Sequence, residues 1–390
     1  MASSDLKPAL HVAEIARLAP SPAFVIDLGR LRFNLEILDR VQRSSGAEIL
    51  LALKAFSMWS LFPLIRKSLQ GVCASSPWEA RLGFEEFGRE VHSFAAAFSP
   101  EDVTELLDIS SHLTFNSFAQ LERFRPQWER KKGKVSVGLR VNPEHSEGHT
   151  PLYDPCGPVS RLGIRREDFI GRSLEGVEGL HFHTLCEHLF EPLKRTARVF
   201  EEKFGEFLPA MKWLNLGGGH HITREGYDID GLVTLIRHFQ ERYGVRVYLE
   251  PGEAVVIGTG VLVGEVLDVV RNNMAIAILN LSVTCHMPDV LEMPYRPEIA
   301  GGFDPGDKPY TYRLAGPSCL AGDVIGDWSF EKPLIPGDRL VFLDMAHYTM
   351  VKTTTFNGVH HPHIAVYEPD TGELDIVRSF AFSDFKSRLS

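Results

Sequence analysis

The sequence predicts an α/β fold in which a (β/α)8 barrel of the TIM type is joined to a second, all-β domain. Two observations lead to this prediction. From about residue 24 to residue 252, short apolar runs rich in β-branched residues alternate with amphipathic stretches, as is typical of parallel βαβ units. After Pro251, alternating β-branched runs are separated by turn sequences such as Pro336-Gly337-Asp338, and no long amphipathic helix is apparent. A doubly wound open sheet is the alternative for the first region.

Apolar runs at regular intervals are the predicted strands of the barrel. Their number matches the eight strands of a (β/α)8 fold. In chain order they cover residues 49–55, 72–76, 91–95, 113–116, 135–142, 179–185, 213–217 and 246–250.

The segments between these strands have the features of helices. Ser76-Pro77 and Ser99-Pro100 each place a capping serine directly before a proline at the first helical position, which is a favoured way to begin a helix. The predicted helices cover residues 60–69, 77–87, 99–107, 118–129, 190–208 and 230–243.

The change of pattern after Pro251 sets the expected domain boundary. We predict a barrel domain over residues 22–254 and an all-β domain over residues 255–390, with residues 1–21 as a possible addition to the second domain. The predicted strands of the all-β domain cover residues 255–270, 275–284, 311–314, 339–343 and 363–367.

Composition and charge exclude several classes of protein. The 390 residues are 44% hydrophobic and 24% charged, which is ordinary for a globular chain, and the formal net charge is −10. An acidic chain is a poor general binder of nucleic acid. No apolar run approaches the roughly 20 residues of a membrane helix. The first 20 residues lack the apolar core of a secretory signal, and the five cysteines are scattered without a CxxC pair. We therefore expect a cytoplasmic protein without a secretory leader, disulfides, nucleic acid or membrane partners.

Unusual residues stand where predicted barrel strands end. Lys54 and His183 close two apolar runs, Gly217-Gly218-Gly219 follows a third, and Glu250 precedes Pro251 after the last. An ionisable side chain in such a place is costly unless it is paired or used. Successive glycines allow backbone N–H groups to approach an anion. A snorkelling lysine, a core histidine and a plain turn are the structural alternatives for the first three features.

These residues converge if the barrel forms, because the carboxyl ends of its strands share the face that carries the active site. An amine, an imidazole, a glycine-rich anion site and a carboxylate together suit pyridoxal 5′-phosphate (PLP), which needs a partner for its aldehyde, ring, phosphate and pyridine nitrogen. We therefore expect PLP as the cofactor.

A family resemblance supports this expectation. The motifs ALKAF, HFHTLCE, LNLGGG, LEPGE, AGPSCLAGD and DMAHYTM occur in this order. Over nearly the whole chain they resemble the PLP decarboxylases of the alanine-racemase fold, which include ornithine, arginine and diaminopimelate decarboxylases. Within this family the chain is most similar to the carboxynorspermidine/carboxyspermidine decarboxylases.

The resemblance implies a role for each motif. Lys54 would form the Schiff base with PLP, His183 would stack on its ring, and Glu250 would pair with its pyridinium nitrogen. Gly217, Gly218 and Gly219 would hold the phosphate, with Tyr348 nearby. Cys319 would enter the active site of a neighbouring subunit, so the resemblance implies a homodimer with shared active sites.

The chain also departs from the family pattern. Glu253 follows the EPG motif where ornithine and diaminopimelate decarboxylases usually have arginine, and Leu320 follows Cys319 where an acidic residue is usual. Both departures, and the segment CHMPDVLEMPYRP at residues 285–297, resemble the carboxynorspermidine branch. The cation that neutralises the phosphate is left open.

The expected reaction is decarboxylation of carboxynorspermidine and/or carboxyspermidine, in polyamine biosynthesis. Such a substrate has an α-amino acid head and a cationic tail, for which Glu253 and Asp289 are the candidate carboxylates. Glu250 favours decarboxylation over racemisation because it keeps the pyridine nitrogen protonated, and Cys319 is the expected proton donor. Alternatives are a diaminopimelate or ornithine type decarboxylase and a non-catalytic PLP-binding homologue.

Two further groups of histidines receive a structural interpretation. His220-His221 and the run at residues 360–363 lack ligands at metal spacing, so we expect exposed loops and no metal. His181, two residues before His183, is expected to pack in the core.

Overall fold

The computed structural model describes residues 7–148 and 150–390. The chain divides into two compact units, of which one comprises residues 34–255 and the other comprises the described residues up to Phe33 together with residues 256–390. The possible contribution of residues 1–6 to the second domain lies outside the described residues. Numbered in chain order, the strands are β1 Ala23–Asp27, β2 Glu48–Ala52, β3 Gly71–Ala74, β4 Glu90–Phe94, β5 His112–Phe115, β6 Ser136–Arg140, β7 Gly179–His181, β8 Trp213–Asn215, β9 Arg246–Leu249, β10 Gly260–Asn272, β11 Met274–Leu279, β12 Tyr310–Ala315, β13 Val324–Phe330, β14 Arg339–Leu343, β15 His363–Glu368 and β16 Glu373–Arg378.

Strands β2 to β9 form a closed barrel. Every neighbouring pair is parallel, and β9 closes the ring by pairing with β2 through Glu48 opposite Tyr248 and Ile49 opposite Leu249. The predicted (β/α)8 barrel is therefore confirmed, and each of its strands overlaps a predicted apolar run. Trp213 and Tyr248 fill part of the interior. Gly179 makes room for Trp213, because a Cβ at this glycine would lie 2.0 Å from the indole ring.

The helices around the barrel begin where the sequence indicates. Ser99 caps one of them in a capping box, in which its hydroxyl accepts from the Asp102 N–H and the Asp102 carboxylate accepts from the Ser99 N–H. The predicted helix at residues 118–129 breaks at Phe124, ahead of the Arg125-Pro126 step. The helices of this unit and those that border it are Leu28–Ser45, Phe62–Ile65, Pro77–Leu82, Pro100–Ile109, Phe118–Arg123, Arg125–Trp128, Phe190–Phe204, Ile229–Tyr243 and Glu253–Val256.

The second unit is built on one sheet in the order β13-β12-β11-β10-β1-β15-β16, with β14 also paired to β10. A second β domain is thus confirmed. Its helices are short and comprise Val12–Leu18, Val283–His286, Asp289–Glu292 and Phe382–Ser387. Nowhere in residues 7–148 and 150–390 is a helix long and apolar enough to cross a membrane.

The first strand of the chain belongs to this sheet and not to the barrel. β1 pairs antiparallel with β10 and parallel with β15, whereas residues 22–33 were expected in the barrel domain. All five residues of β1 are buried, so its apolar run has no polar face that would distinguish the two sheets. The 18-residue helix Leu28–Ser45 was not predicted either.

Candidate active site

A cavity opens where the barrel strands end. Lys54 follows β2, Arg140 is the last residue of β6, and Glu250 follows β9. The predicted residues Lys54, His183 and Glu250 all line this cavity. The complete lining is Ala52, Lys54, Cys73, Ala74, Ser75, His92, Ser93, Phe94, Thr114, Arg140, His181, His183 and Glu250.

Lys54 and His183 face each other in the cavity. Lys54 Nζ lies 3.3 Å from His183 Nε2, and His183 Nδ1 accepts a hydrogen bond of 2.9 Å from the N–H of Gly218. Because Nδ1 is an acceptor, the proton of the neutral ring is assigned to Nε2, which then donates to the lysine amine. This arrangement fits an uncharged amine at Lys54.

Lys54 is accessible from the open cavity and His183 is half-buried, but the protein atoms packed around both groups favour their uncharged forms. Desolvation is the main cause that lowers the pKa of Lys54; Arg140 lowers it further, while Cys73 and Glu250 act in the opposite direction. Desolvation, followed by the neighbouring Lys54 and Arg140 side chains, holds the pKa of His183 well below its ordinary value. A neutral amine is the nucleophilic form of lysine.

Glu250 is held as a carboxylate by two neighbours. Oε1 accepts a hydrogen bond of 2.7 Å from Asn215 Nδ2, and Oε2 lies 3.3 Å from His181 Nε2. Burial alone would raise the pKa of Glu250, but the proximity of His181, helped by His92 and the hydrogen bond from Asn215, lowers it to about 2. The cavity that contains the Lys54 amine therefore also contains a fixed negative charge.

Arg140 is a buried cation that the sequence analysis did not select. Its Nη2 donates a hydrogen bond of 2.8 Å to the carbonyl of His183, and its guanidinium lies 4.6 Å from the ring centre of Phe94. Desolvation lowers its pKa to about 10, with Glu250 acting to raise it, so the side chain stays charged. Arg140 ends an apolar strand just as Lys54 and Glu250 do, and this signal would have identified it.

The three glycines allow strand ends to approach closely. A Cβ at Gly217, Gly218 or Gly219 would lie 2.4, 2.1 or 1.9 Å from a backbone carbonyl oxygen, and Gly217 and Gly219 have positive φ angles of 70° and 81°. The N–H of Gly217 donates to Asn215 Oδ1 and that of Gly218 to His183. Two of the three expected anion donors are thus engaged within the site.

Asn215 and His181 are further site residues that the sequence analysis missed. Asn215 joins the glycine turn to Glu250, since its amide contacts both. His181, which was expected in the core, is buried but lines the cavity beside Glu250. Its spacing of two residues from His183 puts both on one face of the predicted strand, and this shared face could have indicated that His181 also reaches the cavity.

The expected exposure of His220 and His221 is wrong. These side chains are 1% and 3% exposed. They follow the glycine turn, and a bridge between His188 and His220 fixes the chain there. The two residues are therefore part of the interior at this end of the barrel and not of an outer loop.

Glu253 lies in the barrel unit but is absent from the cavity lining described above. It is the first residue of the helix Glu253–Val256, and its Oε2 lies 3.2 Å from His221 Nε2.

Three other predicted site residues belong to the second unit. Cys319 is exposed on its loop, and its backbone N–H donates a hydrogen bond of 2.8 Å to Asn357 Oδ1. Tyr348 has a positive φ of 45°. Asp289 binds Lys352, whose Nζ lies 2.5 Å from Asp289 Oδ1 and 2.7 Å from Glu292 Oε2. Their roles at the cavity stay predictions.

One group of possible metal ligands occurs deeper in the barrel, formed by Glu90, His92 and His112, whose ligand atoms lie within 4.8 Å of one another. The two imidazoles stack with ring centres 3.8 Å apart, and His92 Nε2 already contacts Glu90 Oε2 at 3.0 Å. The sequence analysis considered only adjacent histidines and did not detect this group.

Comparisons with known proteins agree with the geometry. Residues 23–346 match the family model described as "Pyridoxal-dependent decarboxylase, C-terminal sheet domain". A carboxyaminopropylagmatine decarboxylase of Synechocystis is 46% identical over 98% of this chain and 99% of its own length. A carboxynorspermidine/carboxyspermidine decarboxylase of Campylobacter jejuni is 43% identical over 94% of this chain and 98% of its own.

A solved structure is similar over the same extent. The carboxynorspermidine decarboxylase of Campylobacter jejuni in complex with norspermidine is 42% identical and has a TM-score of 0.88 over 94% of this chain and 99% of that one. Diaminopimelate decarboxylase of Helicobacter pylori has a TM-score of 0.83 at 17% identity, which shows the shared fold.

Proposed function

Since the chain belongs to the family of pyridoxal-dependent decarboxylases, we propose that its substrate is an α-amino acid with a polyamine tail, namely carboxynorspermidine and/or carboxyspermidine. The family and the carboxy-lyase activity rest on the family match and the full-length relatives. The observation that carries the proposed chemistry at the amino acid head is the meeting of Lys54, His183 and Glu250 in one cavity, and the relatives named for carboxylated polyamines support the tail.

The residues of the cavity fit PLP. Lys54 presents an amine for the aldehyde, and the ionised Glu250 suits a protonated pyridine nitrogen. The neutral ring of His183 offers a flat surface between the amine and the glycine turn. A Cβ at any of the three glycines would fill the space in which strand ends meet.

Each residue has a task in the reaction. Bound PLP supplies the electron sink for the electron pair released when the substrate loses CO2 from Cα. Glu250 would keep the pyridine nitrogen of the bound cofactor protonated, and Asn215 and His181 hold the Glu250 carboxylate in place. Arg140 adds a fixed positive charge to the cavity. We propose that Cys319, an exposed cysteine of the second unit, donates the proton to Cα through its thiol.

The tail of the substrate requires anionic partners. Asp289 and Glu292 already hold the ammonium of Lys352 at 2.5 and 2.7 Å. Because this is the chemical group that the polyamine tail presents, we propose that Asp289 binds the tail by exchange with Lys352. Glu253 is the other candidate carboxylate for this role.

A second substrate is favoured by the relative that is 46% identical, which is named for carboxyaminopropylagmatine. This compound shares the amino acid head but ends its tail in a guanidinium. A planar guanidinium binds a carboxylate through two parallel hydrogen bonds, whereas an ammonium is a point charge.

The test is CO2 release by the purified PLP-loaded enzyme across a panel of substrates. Carboxynorspermidine and carboxyspermidine should have the highest kcat/KM, and diaminopimelate and ornithine should be poor substrates. Higher kcat/KM with carboxyaminopropylagmatine would favour the second substrate. Preferential turnover of diaminopimelate would contradict the proposed tail, and absence of turnover with PLP bound would favour a non-catalytic homologue.

The assembly and location stay predictions. We propose a homodimer in which Cys319 completes the neighbouring subunit's site, in a cytoplasmic enzyme without nucleic acid or membrane partners. The family resemblance and the position of Cys319 in the second unit support this proposal.

A further inference from the structure

The loop that carries Cys319, here called the cysteine loop (residues 316–322), is held on one side by a buried carboxylate. Asp323 is 3% exposed. Its Oδ2 accepts a hydrogen bond of 3.1 Å from the N–H of Ser318, and its Oδ1 accepts one of 2.7 Å from the N–H of Val283. Loss of this carboxylate would leave buried donors unsatisfied, so Asp323 serves the folding of the unit.

The other side of the cysteine loop is held by one side-chain amide. The backbone N–H of Cys319 donates a hydrogen bond of 2.8 Å to Asn357 Oδ1, across 38 positions of the sequence. This contact falls on the residue whose thiol is the proposed proton donor. Both residues are exposed, so the hydrogen bond competes with water and adds little to the free energy of unfolding.

The backbone of Asn357 has a conformation that few residue types adopt. Its φ and ψ angles are 57° and 12°, in the left-handed region that is unfavourable for most residues with a side chain and is tolerated best by asparagine, aspartate and glycine. Uncommon backbone conformations persist where the surrounding structure holds them, and they are frequent at functional sites. Here the conformation places an amide oxygen at the N–H of Cys319.

The segment that carries Asn357 is anchored to the helix Val283–His286. The N–H of Thr354 donates a hydrogen bond of 2.9 Å to the carbonyl of Cys285, and Cys285 Sγ donates to the carbonyl of Phe356 at 3.5 Å. The buried carboxylate on the other side of the cysteine loop contacts the same helix. Both restraints on the loop therefore lead to one helix, which gives the amide of Asn357 a fixed origin.

We propose that Asn357 is a positioning residue, which holds the backbone of Cys319 so that its thiol is placed for proton transfer to Cα of the substrate. In this transfer the S–H bond of Cys319 breaks, the electron pair left by the departing CO2 forms the new C–H bond at Cα, and the thiolate regains a proton from water. The inference rests on the proposed function, because it assumes that Cys319 is the proton donor.

Two substitutions separate the oxygen of Asn357 from its backbone conformation. Asn357→Gly removes the acceptor, and glycine adopts a positive φ without steric cost. Asn357→Asp keeps an oxygen acceptor and also tolerates the left-handed region. With the substrate that has the highest kcat/KM in the panel above, Asn357→Gly should lower kcat roughly 3- to 10-fold, as expected for the loss of one hydrogen bond, with little change in KM. Asn357→Asp should keep a kcat near that of the wild type.

Two further measurements distinguish positioning from a purely structural role. Deuterium exchange of the peptide that contains Cys319 should be faster in Asn357→Gly and normal in Asn357→Asp. The solvent deuterium isotope effect on kcat should increase in Asn357→Gly, because a misplaced thiol makes proton transfer slower. Asn273→Gly is the matched control, since Asn273 also has a positive φ of 58° and lies between β10 and β11; it should change neither quantity.

Cys319→Ala tests whether Asn357 acts through the thiol. Added to Cys319→Ala, Asn357→Gly should cause no further loss of the residual kcat, because two residues that act as one unit are not additive. A wild-type kcat in Asn357→Gly, an equal loss in Asn357→Asp, or a further loss in the Cys319→Ala background would overturn the role of Asn357 alone. Full activity of Cys319→Ala would instead overturn the proposed proton donor, and this inference with it.

Discussion

At the residue scale, two side chains of opposite charge shift the pKa of the Lys54 amine. Arg140 lowers the pKa of Lys54, and Glu250 raises it, in addition to the dominant effect of desolvation. Both residues also line the same cavity. The pKa of the Lys54 amine therefore depends on two charged side chains that are 86 and 196 positions away in the sequence. Each charge can be removed by a separate substitution.

Removing the amine should abolish cofactor attachment. Lys54→Ala should be colourless after exposure to PLP, should not be labelled by borohydride reduction, and should lose nearly all CO2 release. Lys194→Ala removes an exposed lysine whose ammonium lies 3.1 Å from Glu191, and it should keep both colour and activity. A reducible PLP linkage that persists in Lys54→Ala would contradict the assignment.

The charges around Lys54 predict opposite shifts with pH. Glu250→Gln removes a negative charge, so the pKa of Lys54 should fall further and the neutral amine should appear at lower pH. Arg140→Gln removes a positive charge and should raise that pKa. The measurement is the midpoint of the rate of colour formation by apoenzyme and PLP against pH. Shifts of both variants in the same direction would exclude this electrostatic account.

At the scale of elements, the turn Gly217–Gly219 joins three strand ends. Glu250 N–H donates to the carbonyl of Gly217, and Gly218 N–H donates to His183. The turn thus connects the chain after β7, β8 and β9 and sets the spacing between His183 and Glu250. A substitution in a helix or loop at the barrel exterior would not alter the spacing between His183 and Glu250.

A methyl group in this turn should be costly. In Gly218→Ala the Cβ would lie 2.1 Å from the Glu250 carbonyl oxygen, and overpacking of this kind lowers the free energy of unfolding by about 1–3 kcal/mol. Urea denaturation should show the loss, together with weaker PLP binding. Gly322→Ala is the matched control, because a Cβ there meets no atom within 4 Å and φ is not positive; equal effects in both variants would argue against this close approach.

At the scale of the whole molecule, the predicted site residues are divided between two units. Lys54, His183 and Glu250 belong to the barrel, whereas Cys319 and Tyr348 belong to the sheet unit. Asp323 stabilises the cysteine loop in its own unit, since its carboxylate accepts from the N–H groups of Ser318 and Val283. These hydrogen bonds order the loop, which suits a thiol that must donate a proton at one defined position.

Subunit mixing tests whether the sites are shared. Lys54→Ala and Cys319→Ala homodimers should each be nearly inactive. After random re-equilibration, half of the dimers are heterodimers with one intact site out of two, so activity should recover to about a quarter of wild type by symmetry. Absence of recovery, with subunit exchange proven by mass spectrometry, would place both residues in the site of one chain.

The sequence by itself predicted the barrel and three residues that line the candidate site. The alternation of apolar and amphipathic segments is a local pattern, so it predicted β2 to β9 from residues a few positions apart. Lys54, His183 and Glu250 were found because each is polar where an apolar strand ends, and parallel strand ends share one face. The same residue types indicated PLP, and the motif resemblance supported this expectation.

Only the tertiary structure decided which distant segments pack together. It placed β1 in the sheet of the second unit, buried His220 and His221, and brought Asn215 to Glu250. The reason is that contacts between segments far apart in sequence decide whether a side chain is buried and which residues it contacts. A histidine pair in a polar stretch has the same local pattern on a surface loop as in the interior, and only the surrounding chain distinguishes the two.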